Sequence, residues 1–129
     1  MTLSAKQLLH ANQRRDELVK ICSRLPEVGY EAVGKDHISF RIRKKIFAYY
    51  LFDHHGDGMI AFCCKSTLNE QRRLIRNDAE SFFVPAYLGP RGWVAIRLDL
   101  AEVDWDTITE LAKQAFQAVA PTKLAALVE

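Results

Sequence analysis

Arg41, Arg43, Lys44 and Lys45 fall within five positions, in a stretch where apolar and polar residues alternate. That is the chemistry of a phosphate contact. Lys and Arg displace the counterions condensed on a nucleic-acid backbone, and a β-hairpin tipped with cations is how winged modules reach phosphates. Arg72, Arg73 and Arg76 stand at helical spacings that gather them along one flank. Arg91 sits inside Gly89-Pro90-Arg91-Gly92, which matches the GXXG that clamps a nucleic-acid backbone in KH domains. Here the motif precedes a strand and Pro90 lacks an amide proton, so it reads as a structural turn with Arg91 at its tip. These eight residues are the candidate nucleic-acid contacts. Exposed cations also serve solubility, and at strand edges they block aggregation.

Other motifs fail on spacing or context. Gly56-Asp57-Gly58-Met59-Ile60-Ala61 fits G-x-G-x-x-A, but a dinucleotide fingerprint must open a helix and a strand follows here. Asp53, His55, Asp57 and Gly58 occupy positions 1, 3, 5 and 6 of a calcium loop, yet position 12, which needs a bidentate glutamate, is Cys64. His54, His55, Cys63 and Cys64 have ligand chemistry without the spacing of a zinc site. His37 and Ser39 share a strand face with no third group to complete a triad, and nothing brings a base to Cys63. The expectation is a protein with no cofactor, no metal and no catalytic set.

The 129-residue chain is 49% hydrophobic and 26% charged, as in ordinary globular proteins. Its size suits a single domain spanning 1–129. No apolar run approaches the ~20 residues of a membrane span, and MTLSAKQLLHANQRRDE lacks the apolar core of a signal peptide. The expected compartment is the cytoplasm, with no membrane partner. Cys22, Cys63 and Cys64 agree with it, because adjacent strand residues point to opposite faces and bridge poorly. The net charge of +2 hides an asymmetry: residues 1–76 carry 14 Lys and Arg against 8 Asp and Glu, whereas 77–129 carry 4 against 8. The two halves make a nucleic-acid face, or they hold each other together.

The elements that position these groups follow from periodicity. Ser4 is placed to cap a helix running to about Leu25, ended by Pro26. A short extended segment between Gly29 and Gly34 leads to a β-meander. With Arg43-Lys44 as a two-residue turn, Phe40 faces Phe47 and Ile38 faces Tyr49. Ile38, Phe40, Ile42, Phe47, Tyr49, Leu51, Ile60, Phe62 and Cys64 then share one face. Ser39, Arg41, Ile46, Tyr50, Phe52, Met59, Cys63 and Lys65 form an aromatic and cationic second face. Thr67 and Glu70 have capping-box spacing for a second helix through Arg76. Asp78–Phe83 reads as a helical turn, and Trp93–Leu98 as the last strand, entered through a rigid loop with two prolines and two glycines. Asp104 caps a final helix whose buried stripe begins at Trp105; Pro121 breaks it before a tail helix. Trp93 and Trp105 are expected to be mostly buried. Together these make an α+β protein, an antiparallel sheet with helices packed on it.

Ile21-Cys22-Ser23-Arg24-Leu25-Pro26-Glu27, Ser39-Phe40-Arg41-Ile42, Phe82-Phe83-Val84-Pro85, Tyr87 through Val94, and Val103-Asp104-Trp105-Asp106 occur in order at the spacing of the MmcQ/YjbR family, which the chain resembles over nearly its whole length. The resemblance implies a fold related to the bacterial frataxin homologue, in a double-wing arrangement, and carries a DNA-binding expectation that rests on that shape. Members often have a glycine in the first hairpin turn, where this chain has Arg43-Lys44. The loop with His54 and His55 also departs from the pattern. The first helix, with Arg14, Arg15, Lys20 and Arg24 against Asp16 and Glu17, lacks the acidic ridge through which frataxins hold metal. The function expected is weak, phosphate-dominated contact with double-stranded DNA. The alternative is a protein-interaction adaptor that uses the aromatic and cationic sheet face.

Overall fold

A computed structural model describes residues 4–34, 36–53 and 58–128. Helix α1, Ala5–Ser23, opens with a reciprocal cap: Ser4 Oγ accepts from the Gln7 amide, and Gln7 Oε1 accepts from the Ser4 amide at 2.8 Å. Four strands follow: β1 (Val28–Val33), β2 (His37–Ile42), β3 (Lys45–Phe52) and β4 (Ile60–Cys64). Helix α2 spans Leu68–Asn77, β5 is Phe82–Phe83, a 3₁₀ turn covers Gly89–Arg91, and β6 is Val94–Arg97. Helices α3 (Trp105–Val119) and α4 (Thr122–Ala125) complete the chain. The strands form one six-stranded antiparallel sheet in the order β1-β2-β3-β4-β6-β5.

Helices α1 and α3 cover one face of that sheet. Leu18 and Cys22 of α1, Ile108 and Phe116 of α3, and Phe40, Ile42, Phe47, Tyr50 and Phe62 of the strands are essentially water-free in the main core. Phe47 meets Phe116 edge to face at 6.0 Å, a geometry that favours the ring quadrupoles. Arg14 ties α1 to the chain beyond β6, donating to the carbonyls of Leu98, Leu100 and Ala101. A smaller cluster on the opposite face joins Ala61, Cys63, Trp93 and Ala95 to Ile46, Tyr49, Leu51, Phe83 and Leu88. Trp93 is buried as expected, whereas Trp105 is only partly buried at the start of α3.

The β2–β3 register departs from the simple hairpin. Ile42 faces Lys45 and Arg41 faces Ile46, but Phe40 then faces Ala48. Phe47 is the extra residue of a β-bulge, and its carbonyl accepts from the Lys65 amide at 2.9 Å. A one-residue insertion inverts the facing of everything beyond it. Tyr50 and Phe52 therefore pack on the helix side, and Tyr49 and Leu51 on the other, opposite to the sequence expectation. Two further expectations change. The extended segment near Gly29 is a full strand paired with β2. Of 78–83, Phe82 and Phe83 pair with Ile96 and Ala95 as a strand rather than continuing a helical turn.

Arg43 takes a φ of +58°, the left-handed conformation demanded at the first central residue of a two-residue hairpin loop. A side chain there costs about 1–2 kcal/mol, while glycine adds about 0.5–1 kcal/mol of unfolded-state entropy. Arg43→Gly should therefore raise stability by about 0.5 kcal/mol in urea unfolding. A measured loss above that size would show that Arg43's contacts outweigh its strain.

Candidate nucleic-acid interface

Strand directions sort the charges of this molecule. β1, β3 and β6 all start at one end of the sheet, where β2 and β4 finish. At that end stand the Arg43-Lys44 turn, Lys45 opening β3, Lys65 just after β4 and Arg91 before β6. Arg24, between α1 and β1, lies there too, and shares an open groove with Lys113 of α3. The starts of β3 and β6 are separated only by β4, or two strand spacings of roughly 10 Å in total. At the opposite end carboxylates outnumber the cations Arg14 and Arg97. Asp36 precedes β2, Asp53 follows β3, and Asp99 follows β6. Asp78, Glu102 and Asp104 gather around a small cavity with Arg97, whose guanidinium binds Asp99 at 2.7 Å.

The eight candidates divide along this axis. Lys44, Lys45 and Arg91 are exposed at the basic end and make no ion pair among the described residues. Arg43 joins them, tethered to Glu27 at 3.6 Å; both side chains are more than half exposed, so the pair is weak. Arg41 lies inward on the sheet face away from α1 and α3. Its Nη2 contacts Glu31 at 3.2 Å and donates to Ser39 Oγ at 3.4 Å. Arg72, Arg73 and Arg76 run along the β5 margin, because α2 must carry the chain from the basic end of β4 to the acidic end where β5 begins. Arg73 is engaged by Glu70 through a two-pronged contact, with Nε at 2.9 Å from Oε2. That hydrogen bond holds the Glu70 carboxyl below its usual pKa. Sequence periodicity did not reveal Arg24, Lys65 and Lys113, which strand direction and helix packing add to the basic end.

The Gly-Pro-Arg turn is held from behind. Gln71 is a buried polar residue of α2, and its Nε2 donates to the Gly89 carbonyl at 3.0 Å and the Trp93 carbonyl at 2.6 Å. The turn thus presents Arg91 from a fixed base. Gln71 lies on the helix stripe of Leu68, Leu74 and Ile75, so its spacing marks a buried position that its polar side chain conceals.

Burial pushes the Cys22 and Cys63 thiols up to about 12, and Cys64 is raised as well, which disfavours the thiolate form in the metal-free protein. Among the described residues no three His, Cys, Asp or Glu side chains converge as a metal set. His54 and His55 lie outside the described residues. No described helix is long and apolar enough to cross a membrane.

The family model described as YjbR matches residues 23–118, from the end of α1 through nearly all of α3. The chain belongs to the YjbR family. Among solved structures, this YjbR chain resembles Deinococcus radiodurans protein DR2400, a DUF419 domain, with a TM-score of 0.69 and 18% identity over 84% of this chain and 80% of that one. At that identity the likeness establishes the α+β fold. No curated protein matches the chain.

Proposed function

We propose that this YjbR-family protein binds double-stranded DNA through phosphate contacts made by the basic end of its sheet. The observation that supports the reading is the bias of charge: Arg43, Lys44, Lys45, Lys65 and Arg91 against Glu27 at one end, Asp36, Asp53, Asp78, Asp99, Glu102 and Asp104 against Arg14 and Arg97 at the other. A field of this polarity orients the protein towards a polyanion before contact. It also favours a nucleic-acid face over two halves that neutralise each other. Arg24 and Lys113 widen the contact, while Arg72 and Arg76 extend it along one margin. Such contacts are set by phosphate position and carry little sequence preference.

The adaptor reading keeps an aromatic and cationic face with a changed membership: Tyr50 and Phe52 pack against the helices, and Tyr49, Trp93 and Arg41 stand on the uncovered face instead.

Lys44→Ala/Lys45→Ala tests the proposal, since neither lysine is in an ion pair among the described residues and neither needs unusual backbone angles. Titration of labelled duplex by fluorescence anisotropy should show weaker binding to every sequence. The salt slope should flatten by about 1 to 2 units, as each lost phosphate contact removes roughly 0.9. Folding should change by less than ~0.5 kcal/mol. Absence of duplex binding by the folded wild-type protein at low salt would sink the reading.

A further inference from the structure

Tyr87 is the most conspicuous side chain left unexplained. It is 81% exposed, yet its backbone sits at φ +65°, at the centre of a three-residue turn in which the Leu88 amide donates to the Ala86 carbonyl at 2.7 Å, a rare and strained conformation. Strain of this kind persists where the surrounding structure imposes it, and it clusters at ligand sites. Here the Gly89 amide also donates to the Pro85 carbonyl at 3.0 Å, closing the loop around Tyr87, and Gln71 anchors the Gly89 carbonyl.

The strain places Tyr87 at the rim of a pocket on the sheet face that α1 and α3 leave uncovered. The pocket holds about 240 Å³ and is lined by Val33, His37, Tyr49, Leu51, Tyr87 and Leu88, among others. Aliphatic walls with two tyrosines and an imidazole suit a flat aromatic group. The size suits one ring system, since drug-sized ligands take about 300–1,000 Å³. Tyr49 is backed by Trp93, with ring centroids 5.9 Å apart, which stiffens that wall.

An anion site adjoins it. Arg41 folds its guanidinium back to Ser39, and Ser39 is the direct cross-strand neighbour of Tyr49. Arg41 already holds a carboxylate there, that of Glu31, whose side chain is 63% exposed. Glu31 is the exposed partner, whereas Arg41 is half-buried and its Nε has no hydrogen-bond partner among the described residues, so a phosphate can take the carboxylate's place, and the planar fork suits either oxyanion.

We infer that this pocket takes the base of an unpaired nucleotide while Arg41 receives its phosphate. Tyr87 and Tyr49 provide the aromatic surface, as in proteins that track single strands. The inference rests on the nucleic-acid reading above but uses a different face and different residues, so each can fail alone. A free nucleotide and a single strand offer the same chemistry, and the experiment separates them.

The probes are a labelled ten-nucleotide adenine strand, an all-abasic strand of equal length, a duplex, and 5′-AMP. Anisotropy should show the adenine strand bound at least about fivefold more tightly than the abasic strand, the lower bound for one stacked base. Tyr87→Ala should abolish that preference and leave duplex affinity unchanged. Tyr87→Gly, which also relieves the backbone, should do the same with its melting point within a few degrees of wild type. Where the preference is present, calorimetric binding of 5′-AMP that is lost in Tyr87→Ala assigns the site to free nucleotides, and its absence assigns it to strands. Equal affinity for the two strands, or a preference that survives both Tyr87 variants, overturns the inference. Duplex binding that disappears in Lys44→Ala/Lys45→Ala while the base preference persists would separate the two sites.

Discussion

Gly92→Ala is expected to destabilise the protein by about 2–5 kcal/mol, enough to unfold a marginal domain. Two independent costs add. Gly92 has a φ of +90°, outside the region open to a residue with a Cβ, and forcing a side chain there costs about 1–2 kcal/mol or more. A Cβ would also stand 2.8 Å from both the Leu68 amide nitrogen and the Thr67 carbonyl carbon. Those are backbone atoms at the start of α2, so no rotamer change relieves the overlap, and overpacking of this sort costs about 1–3 kcal/mol. Gly29→Ala is the control: nothing lies within 4 Å of its virtual Cβ, and the change should stay within ~0.5 kcal/mol. Urea unfolding followed by tryptophan fluorescence, from Trp93 and Trp105 together, measures both. A Gly92→Ala loss below 1 kcal/mol would mean that the turn and α2 can separate freely, and with them the fixed presentation of Arg91.

Alkaline pH should unfold this protein well before ordinary domains fail. Desolvation raises Cys22 and Cys63 to about 12 and raises Cys64 too. Burial also takes Tyr50 to about 12, where its hydroxyl reaches the Ala11 carbonyl. Each group has a folded pKa above its unfolded value. Their contribution is thus fully present below the unfolded thiol pKa, near 8.5, and is lost as pH rises towards about 12. One unit of difference corresponds to about 1.4 kcal/mol, so Cys22 and Cys63 alone remove several kcal/mol by pH 11, a large part of a domain's stability, and Cys64 acts in the same direction. A pH titration monitored by circular dichroism should show cooperative unfolding between about pH 9 and 11. Cys63→Ala should shift that limb upwards while costing little at pH 7 beyond the lost sulfur contacts. A stability that stays flat to pH 11 would count against burial as the state of these thiols.

Much of the local architecture was legible in the sequence because its causes are local. Ser4, Thr67 and Asp104 each cap the helix their spacing announced. Pro26 and Pro121 follow the ends of α1 and α3, and the alternation of Ile38, Phe40 and Ile42 marks a strand with one buried face. The residues that matched the family in order lie on these same elements, and the α+β class followed from them. The eight cations were identifiable by type.

What the sequence could not decide was where each side chain goes once the strands pair. The bulge at Phe47 depends on the Lys65 amide, 18 positions away, and it reverses the faces of Tyr49, Tyr50, Leu51 and Phe52. A period-2 pattern read along one strand has no access to that partner. Strand order and direction, not spacing, bring Arg91 to the same end as Lys44 and Lys45 and carry Arg76 away from it. They also replace a split between the two halves of the chain with a polarity between the two ends of the sheet. The sequence by itself determined the elements, their caps and the stock of cations, because capping and periodicity act within a turn or two. Only the tertiary structure decided the charge axis, the partners of Gln71 and the pocket under Tyr87, because these arise from contacts between segments far apart in the chain.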